Sequence, residues 1–154
     1  MRKDMLFIEK CIRLVKPGGR IAIVLPQRNL NNPTSEFLRN FIFENCRLLA
    51  CVGLKENTFR PFTPTKTSVV LLQKWKSNKE KTNDYKIFMA DSERPGKDNS
   101  GNYIYLKDKE GNYINEKKEI IDTLKTPRVV DHDLDQIIEE FNKFKNKENI
   151  NFNE

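Results

Sequence analysis

Phe59 is followed at once by Arg60 and, seven positions on, by Lys66, in a loop (Glu56 to Thr67) between two apolar segments. A ring flanked by cations can stack on a nucleobase while the cations meet phosphate. Enzymes that modify a base in duplex DNA must flip it out and grip its face. Each such stacking contact is worth roughly 1–3 kcal/mol, and loop cations commonly contact phosphate oxygens. The same residues also have plain structural uses. Phe59 can cap the core beneath its loop, Phe62 can do so more readily still, and Arg60 and Lys66 can be solvated charges.

Three other groupings invite chemistry and are better read as structure. Lys16-Pro17-Gly18-Gly19-Arg20 carries two glycines, but it follows a helical pattern and precedes a strand pattern. A phosphate-cradling glycine loop has the reverse context, so these glycines stop a helix. Asn32-Pro33-Thr34-Ser35 follows a strand, as does the polar-Pro-Pro-aromatic turn that holds an amino group during its methylation. Here Thr34 replaces the second proline and Ser35 the aromatic, which leaves a helix cap. Cys11, Cys46 and Cys51 lie in apolar surroundings, and His132 is the only histidine. Neither a disulfide framework nor a metal cluster fits that spacing, and buried free thiols in a reducing compartment do.

The elements that must position these residues alternate between helix and strand. Met5, Ile8, Ile12 and Val15, with Cys11 alongside, fall at helical spacing and predict a helix over residues 4–16. Ile21 to Leu25 is a continuous apolar run, the pattern of a strand covered on both faces. Asn32 as N-cap and Pro33 at the first position open a second helix, with Phe37, Leu38, Phe41 and Ile42 as its buried side. Leu48–Leu54 and Ser68–Gln73 are strands that bracket the Phe59 loop. Beyond a polar link at residues 77–84 a further strand is expected at Tyr85–Ala90.

Residues 94–118 are rich in Gly, Asn, Lys and Asp and carry the echo Gly101-Asn102-Tyr103-Ile104 and Gly111-Asn112-Tyr113-Ile114. A hairpin, a mobile loop or a chance repetition would each account for it. Leu134, Ile137, Ile138, Phe141 and Phe144 mark a last amphipathic helix with Asp131 and Asp133 near its start. From Lys145 the tail is expected to be disordered.

At 154 residues the chain is one domain's worth of polypeptide. Its net charge of +6 favours an anionic partner without naming one. No apolar run approaches the roughly 18 residues of a membrane span and no signal pattern opens the chain, so a cytoplasmic protein with no membrane partner is expected.

The segments FIEKCIRLVKPGGRIAIVLP, NPTSEFLRNFIFENCRLLACVGL and ENTFRPFTPTKTSVVLLQK resemble, in this order, the later motifs of gamma-class adenine-N6 DNA methyltransferases, in particular the modification (M) subunits of type I restriction systems. The likeness covers residues 6 to about 92 and extends faintly to the helix from Asp131 to Phe144. It implies an α/β, partial Rossmann-like S-adenosylmethionine-dependent methyltransferase fold containing only the later strands and helices. Ser68–Gln73 would then insert antiparallel between Ile21–Leu25 and Leu48–Leu54.

By the same match Phe59 takes the place of the aromatic that packs against the flipped adenine. Arg60, Lys66 and Thr67 become possible DNA contacts. The aromatic-x-Gly-x-Gly strand and the Asn-Pro-Pro-aromatic motif of the family are not in this sequence. The expectation is therefore a fragment from a truncated or split reading frame, inactive alone, with no catalytic, cofactor-binding or metal-binding residue of its own.

The division expected is residues 1–92 for the later half of the methyltransferase domain, 93–118 for a loop or hairpin insertion, 119–145 for a closing helical segment and 146–154 for a tail. The intact enzyme would use S-adenosylmethionine and DNA. The partners implied are a complementary methyltransferase fragment or M subunit and a specificity subunit. Two other readings stay open: a non-catalytic nucleic-acid-binding or assembly module that retains this half-fold, and a methyltransferase fragment acting on RNA or protein.

Overall fold

The computed structural model describes residues 3–150. Helix α1 spans Lys3–Leu14, with Ile8 and Ile12 buried at helical spacing. Pro17 cannot continue it and Gly18 takes a left-handed φ of 78°. The carbonyls at the end of α1 are met from elsewhere: Lys74 Nζ donates to those of Ile12 at 2.8 Å and Val15 at 3.0 Å. This cation completes the negative end of the helix.

Strand β1 (Arg20–Pro26) leads through a four-residue helix α2 (Arg28–Asn31) and a 3-10 turn (Pro33–Ser35) into α3 (Glu36–Asn45). Asn32 caps as expected, its Oδ1 accepting from the Thr34 N–H at 2.9 Å, but it caps the 3-10 turn rather than α3. The stripe that α3 buries is Leu38 and Ile42, with Phe41 half-buried. Phe37, expected inside, is 57% exposed. Lying one residue off that stripe, it rims an apolar groove with Met5, Leu38 and Phe41 instead.

Strands β2 (Cys46–Leu54), β3 (Thr67–Lys74) and β4 (Phe88–Asp91) complete a four-stranded sheet in the order β1-β3-β2-β4. Strand β3 runs antiparallel to both neighbours, with Ile23 opposite Val70 and Cys51 opposite Val70 on the other side, while β2 and β4 are parallel. A register shift between Leu48 and Ala50 leaves Leu49 fully buried. Strand β4 is shorter than expected. Tyr85 lies outside it because its hydroxyl accepts the Leu48 N–H at 3.3 Å, so β2–β4 pairing begins only at Ala50 and Phe88.

The principal core lies between this sheet and α1, α2 and α3, and includes Ile8, Leu25, Leu38, Cys46, Val70 and Leu72. Cys46 is fully buried, and desolvation pushes its thiol up to about 11 although Lys74 pulls the other way. All three cysteines are free and no metal-holding cluster occurs among the described residues. The expectation that β1 is covered on both faces fails at Val24, which is 47% exposed. Ile21 and Leu25 point into the core, Ala22 and Val24 point away, and nothing buries that second face among the described residues.

On the far side α4 (Leu134–Lys147) lies against β4, with Phe88 5.3 Å from Phe141 and 5.7 Å from Phe144, ring to ring. Leu134 and Ile138, counted on its inner face by spacing, are exposed. The disorder expected from Lys145 is not found up to residue 150: α4 runs to Lys147, Lys86 pairs with Glu148 at 2.9 Å, and Ile150 is buried. The rest of that tail, residues 151–154, lies outside the described residues. No helix among them is long and apolar enough to cross a membrane.

Candidate nucleic-acid interface

The Phe59 loop is built as a series of tight turns. The N–H groups of Thr58, Arg60 and Phe62 donate to the carbonyls of Lys55, Asn57 and Phe59. Gln27 N–H donates to the Lys66 carbonyl at 3.0 Å, which fastens the loop's far end to the exit of β1. In this frame Phe59 is 36% exposed, so part of its ring rests on protein and part faces out. Phe62, for which a core cap was the readier reading, is 92% exposed and caps nothing.

Arg60 is half-buried and Lys66 exposed. Thr67, a possible DNA contact, is buried at the first pair of β3, flanked by Pro26 and Leu54. It shapes the floor of the loop and is no surface contact in this conformation. Of the five buried side-chain polar atoms that find no partner among the described residues, three belong to this loop: Thr58 Oγ1, Arg60 Nε and Thr67 Oγ1.

The loop is braced from outside by the segment that follows β4. The sequence echo proves to be two matching turns of the form Lys-Asp-x-x-Gly-Asn-Tyr-Ile, Lys97–Ile104 and Lys107–Ile114. In the first, Asp98 Oδ1 accepts from the N–H groups of Ser100 and Asn102, and Oδ2 from the Asn102 amide. In the second, Asp108 does the same for Glu110 and Asn112. The Asn102 N–H and amide hold the Asp98 carboxyl below its ordinary range, and the Asn112 amide and N–H do so for Asp108. A third turn puts Asn115 in the aspartate's role, accepting from Glu119 N–H, and Lys118 at the positive φ that glycine held before.

The expected boundary at residue 118 does not divide this structure. Tyr105 bridges to Val130, and Leu106 and Asp131 exchange backbone bonds with Val129 and Ile104, so the extended segment continues to Asp133. There Asp133 closes it: its carboxylate accepts from Ser92 Oγ at 2.7 Å and from the N–H groups of Glu93 and Arg94 at 2.7 and 3.1 Å. Burial works against that charge, but the three donors outweigh it and the pKa is lowered.

The first turn touches the Phe59 loop. Lys97 Nζ donates to the Arg60 carbonyl at 3.0 Å, and Asn57 Nδ2 to Asn99 Oδ1 at 2.9 Å. A groove of about 440 Å³ runs between the two, lined by Lys55, Asn57, Lys97 and Asn99 among others. Sequence reasoning offered Phe59, Arg60 and Lys66 but missed Lys97 and Asn99. The repeated Lys-Asp preceding each Gly-Asn was the available signal.

The one passage from a strand end directly into a helix, Pro26 and Gln27 into α2, contains no glycine to let a cofactor approach the backbone. Gly18 and Gly19 lie where a helix stops and a strand begins, as read from the sequence.

An antiparallel strand inserted between β1 and β2, with α1 to α3 packed on one face, is the later part of a Rossmann-like methyltransferase sheet. The chain belongs to the N-6 DNA Methylase family, whose model matches residues 1–153. It is similar to a protein described as a class I S-adenosylmethionine-dependent methyltransferase from Listeria monocytogenes, at 23% identity and a TM-score of 0.48, over 56% of this chain and 26% of that one. It is also similar to a modification subunit described for a type I restriction enzyme of Vibrio vulnificus YJ016, at 17% identity and a TM-score of 0.46, over 98% of this chain and 28% of that one. A chain from a structure of complex assembly and conformational transition in the type I R-M system matches at 25% identity and a TM-score of 0.42, over 46% of this chain and 15% of that one. The chain thus spans at most about a quarter of the length of these proteins. No curated protein matches it.

Proposed function

We propose that this chain is the later part of a DNA adenine-N6 methyltransferase of a restriction–modification system, and that it forms one wall of the target-adenine pocket. Phe59 stacks on the flipped base, with Arg60 and Lys66 toward the backbone. The observation that carries this reading is the partly exposed Phe59 ring in a loop tied at both ends. Cofactor and catalytic groups come from residues outside this sequence, on a complementary fragment or M subunit in a cytoplasmic assembly with a specificity subunit. The uncovered face of β1 at Ala22 and Val24, on a strand whose second edge pairs with nothing among the described residues, suits such a partner.

The test measures S-adenosylmethionine binding by calorimetry and transfer of labelled methyl groups to duplex DNA, first on the chain alone and then with the missing part of a related M subunit added. Neither binding nor transfer is expected from the chain alone, and both from the mixture. Micromolar cofactor affinity or turnover by the chain alone would sink the fragment reading. Transfer to RNA or protein in place of DNA would sink the substrate.

A further inference from the structure

We infer that the second turn of the repeat, with Tyr105 and Arg128, forms a binding surface for the DNA backbone beside the target base. The observation is a ladder of rings and cations. Tyr103, Tyr105 and Tyr113 follow one another with centroids 6.3 and 6.2 Å apart. The Arg128 guanidinium lies 4.5 Å from the Tyr113 centroid and 5.6 Å from that of Tyr105, and Lys107 Nζ lies 4.7 Å from Tyr113 on its own account. Lys97 stands over Tyr103 at 5.2 Å.

Three cations in this part of the molecule face carboxylates: Lys55 faces Glu93, Arg94 faces Asp131 and Lys125 faces Asp122. Lys107 and Arg128 are exposed and meet rings instead, with no carboxylate partner among the described residues. Both oxygens of Asp98 and of Asp108 accept hydrogen bonds within their own turns, which fixes where those charges lie. A cation stacked on a ring keeps its charge and N–H groups available at a fixed place, which suits a phosphate.

Gly111 has open space around it, whereas Gly101 of the first turn is pressed against Pro61. Lys97 joins the ladder to the base site, because the same ammonium that lies over Tyr103 donates to Arg60. An anionic strand leaving the Phe59 loop would therefore meet Lys107 and Arg128 next. This inference rests on the proposed DNA substrate.

The experiment titrates the full chain with fluorescent duplex DNA at about 50 to 200 mM salt. It compares wild type with Lys107→Gln, with Lys107→Gln/Arg128→Gln, and with Lys143→Ala on α4 as control. Glutamine keeps a stem to pack on the rings, and the single variant leaves Arg128 in place should the double variant unfold. The slope of log affinity against log salt should shrink by about 1 for the single and 2 for the double variant, alike for all sequences, and not for the control. Slopes unchanged in both variants would overturn the inference, as would tighter binding of an acidic peptide than of DNA. The proposed function would survive either result, because methyl transfer by the reconstituted enzyme tests it separately.

Discussion

Gly101 lies so close to Pro61 that a Cβ built on it would stand 2.6 Å from the proline nitrogen and 2.8 Å from the Arg60 carbonyl carbon. The contact is backbone on backbone and cannot be relieved by a rotamer change. Its counterpart Gly111 has almost the same positive φ, 90° against 92°, and no heavy atom within 4 Å. Both alanine variants carry the cost of a left-handed alanine, about 1 kcal/mol. Only Gly101→Ala must also move the Phe59 loop. Chemical denaturation should show it to be the more destabilised of the two, and equal losses would contradict the docking of the first turn.

Phe59→Ala in the reconstituted enzyme should slow methylation of duplex adenine by the stacking contribution, roughly 1–3 kcal/mol, with cofactor affinity unchanged. Steady-state kinetics and calorimetry read the two effects apart. Phe62→Ala, which removes a ring standing in solvent, should leave the melting temperature where it was. A lower melting temperature with normal kinetics for Phe59→Ala would make that ring a core cap.

Asp133→Asn leaves the Glu93 and Arg94 N–H groups facing a neutral amide at a buried site. A loss of about 1–3 kcal/mol at neutral pH is expected. Because the folded pKa is lowered, wild type holds this stability above the unfolded value of about 3.9 and loses it as pH falls through the folded one. The gap between wild type and variant should therefore be constant at neutral pH and close below about pH 4. Unfolding measured across that range checks it, and a gap that widens in acid would contradict it.

Lys74→Met removes both side-chain donors at the end of α1 and the cation that moderates the Cys46 thiol. The helix end should lose about 1–3 kcal/mol, visible as faster amide exchange around Cys11 to Val15. Thiol-trapping of Cys46 in the native protein, already slow at a pKa near 11, should not speed up except through unfolding.

The central strands were legible because the apolar runs at Ile21–Leu25, Leu48–Leu54 and Ser68–Gln73 each form one strand. Their order followed from resemblance to a family and not from the residues, since periodicity says nothing of which strand lies between which. Phe37 and Ile138 were misplaced for one reason: spacing defines a face of a helix but not how much of it a neighbour covers. The turns at 97–104 and 107–114 show in the sequence only as an echo, which a hairpin, a mobile loop or chance explains equally. Their stability comes from aspartates bonding their own backbone four residues on, a local device that hydropathy does not register. The Phe59 loop was found, but its brace was not, because Lys97 and Arg60 are brought together only by the path of the chain through β4.

Strand β3 lies between β1 and β2, and that place in the sheet governs the time course of folding. Arg20 pairs with Gln73 and Pro26 with Thr67, so β1 has no partner until almost half the chain has been made. Until then β1 can only collapse against α1 and the helices that follow it, with no strand among the described residues to take up its backbone groups. Such delayed, distant pairing slows folding and prolongs exposure to aggregation. During synthesis the emergence of residues 67–74 is the moment at which the two earlier strands become one sheet.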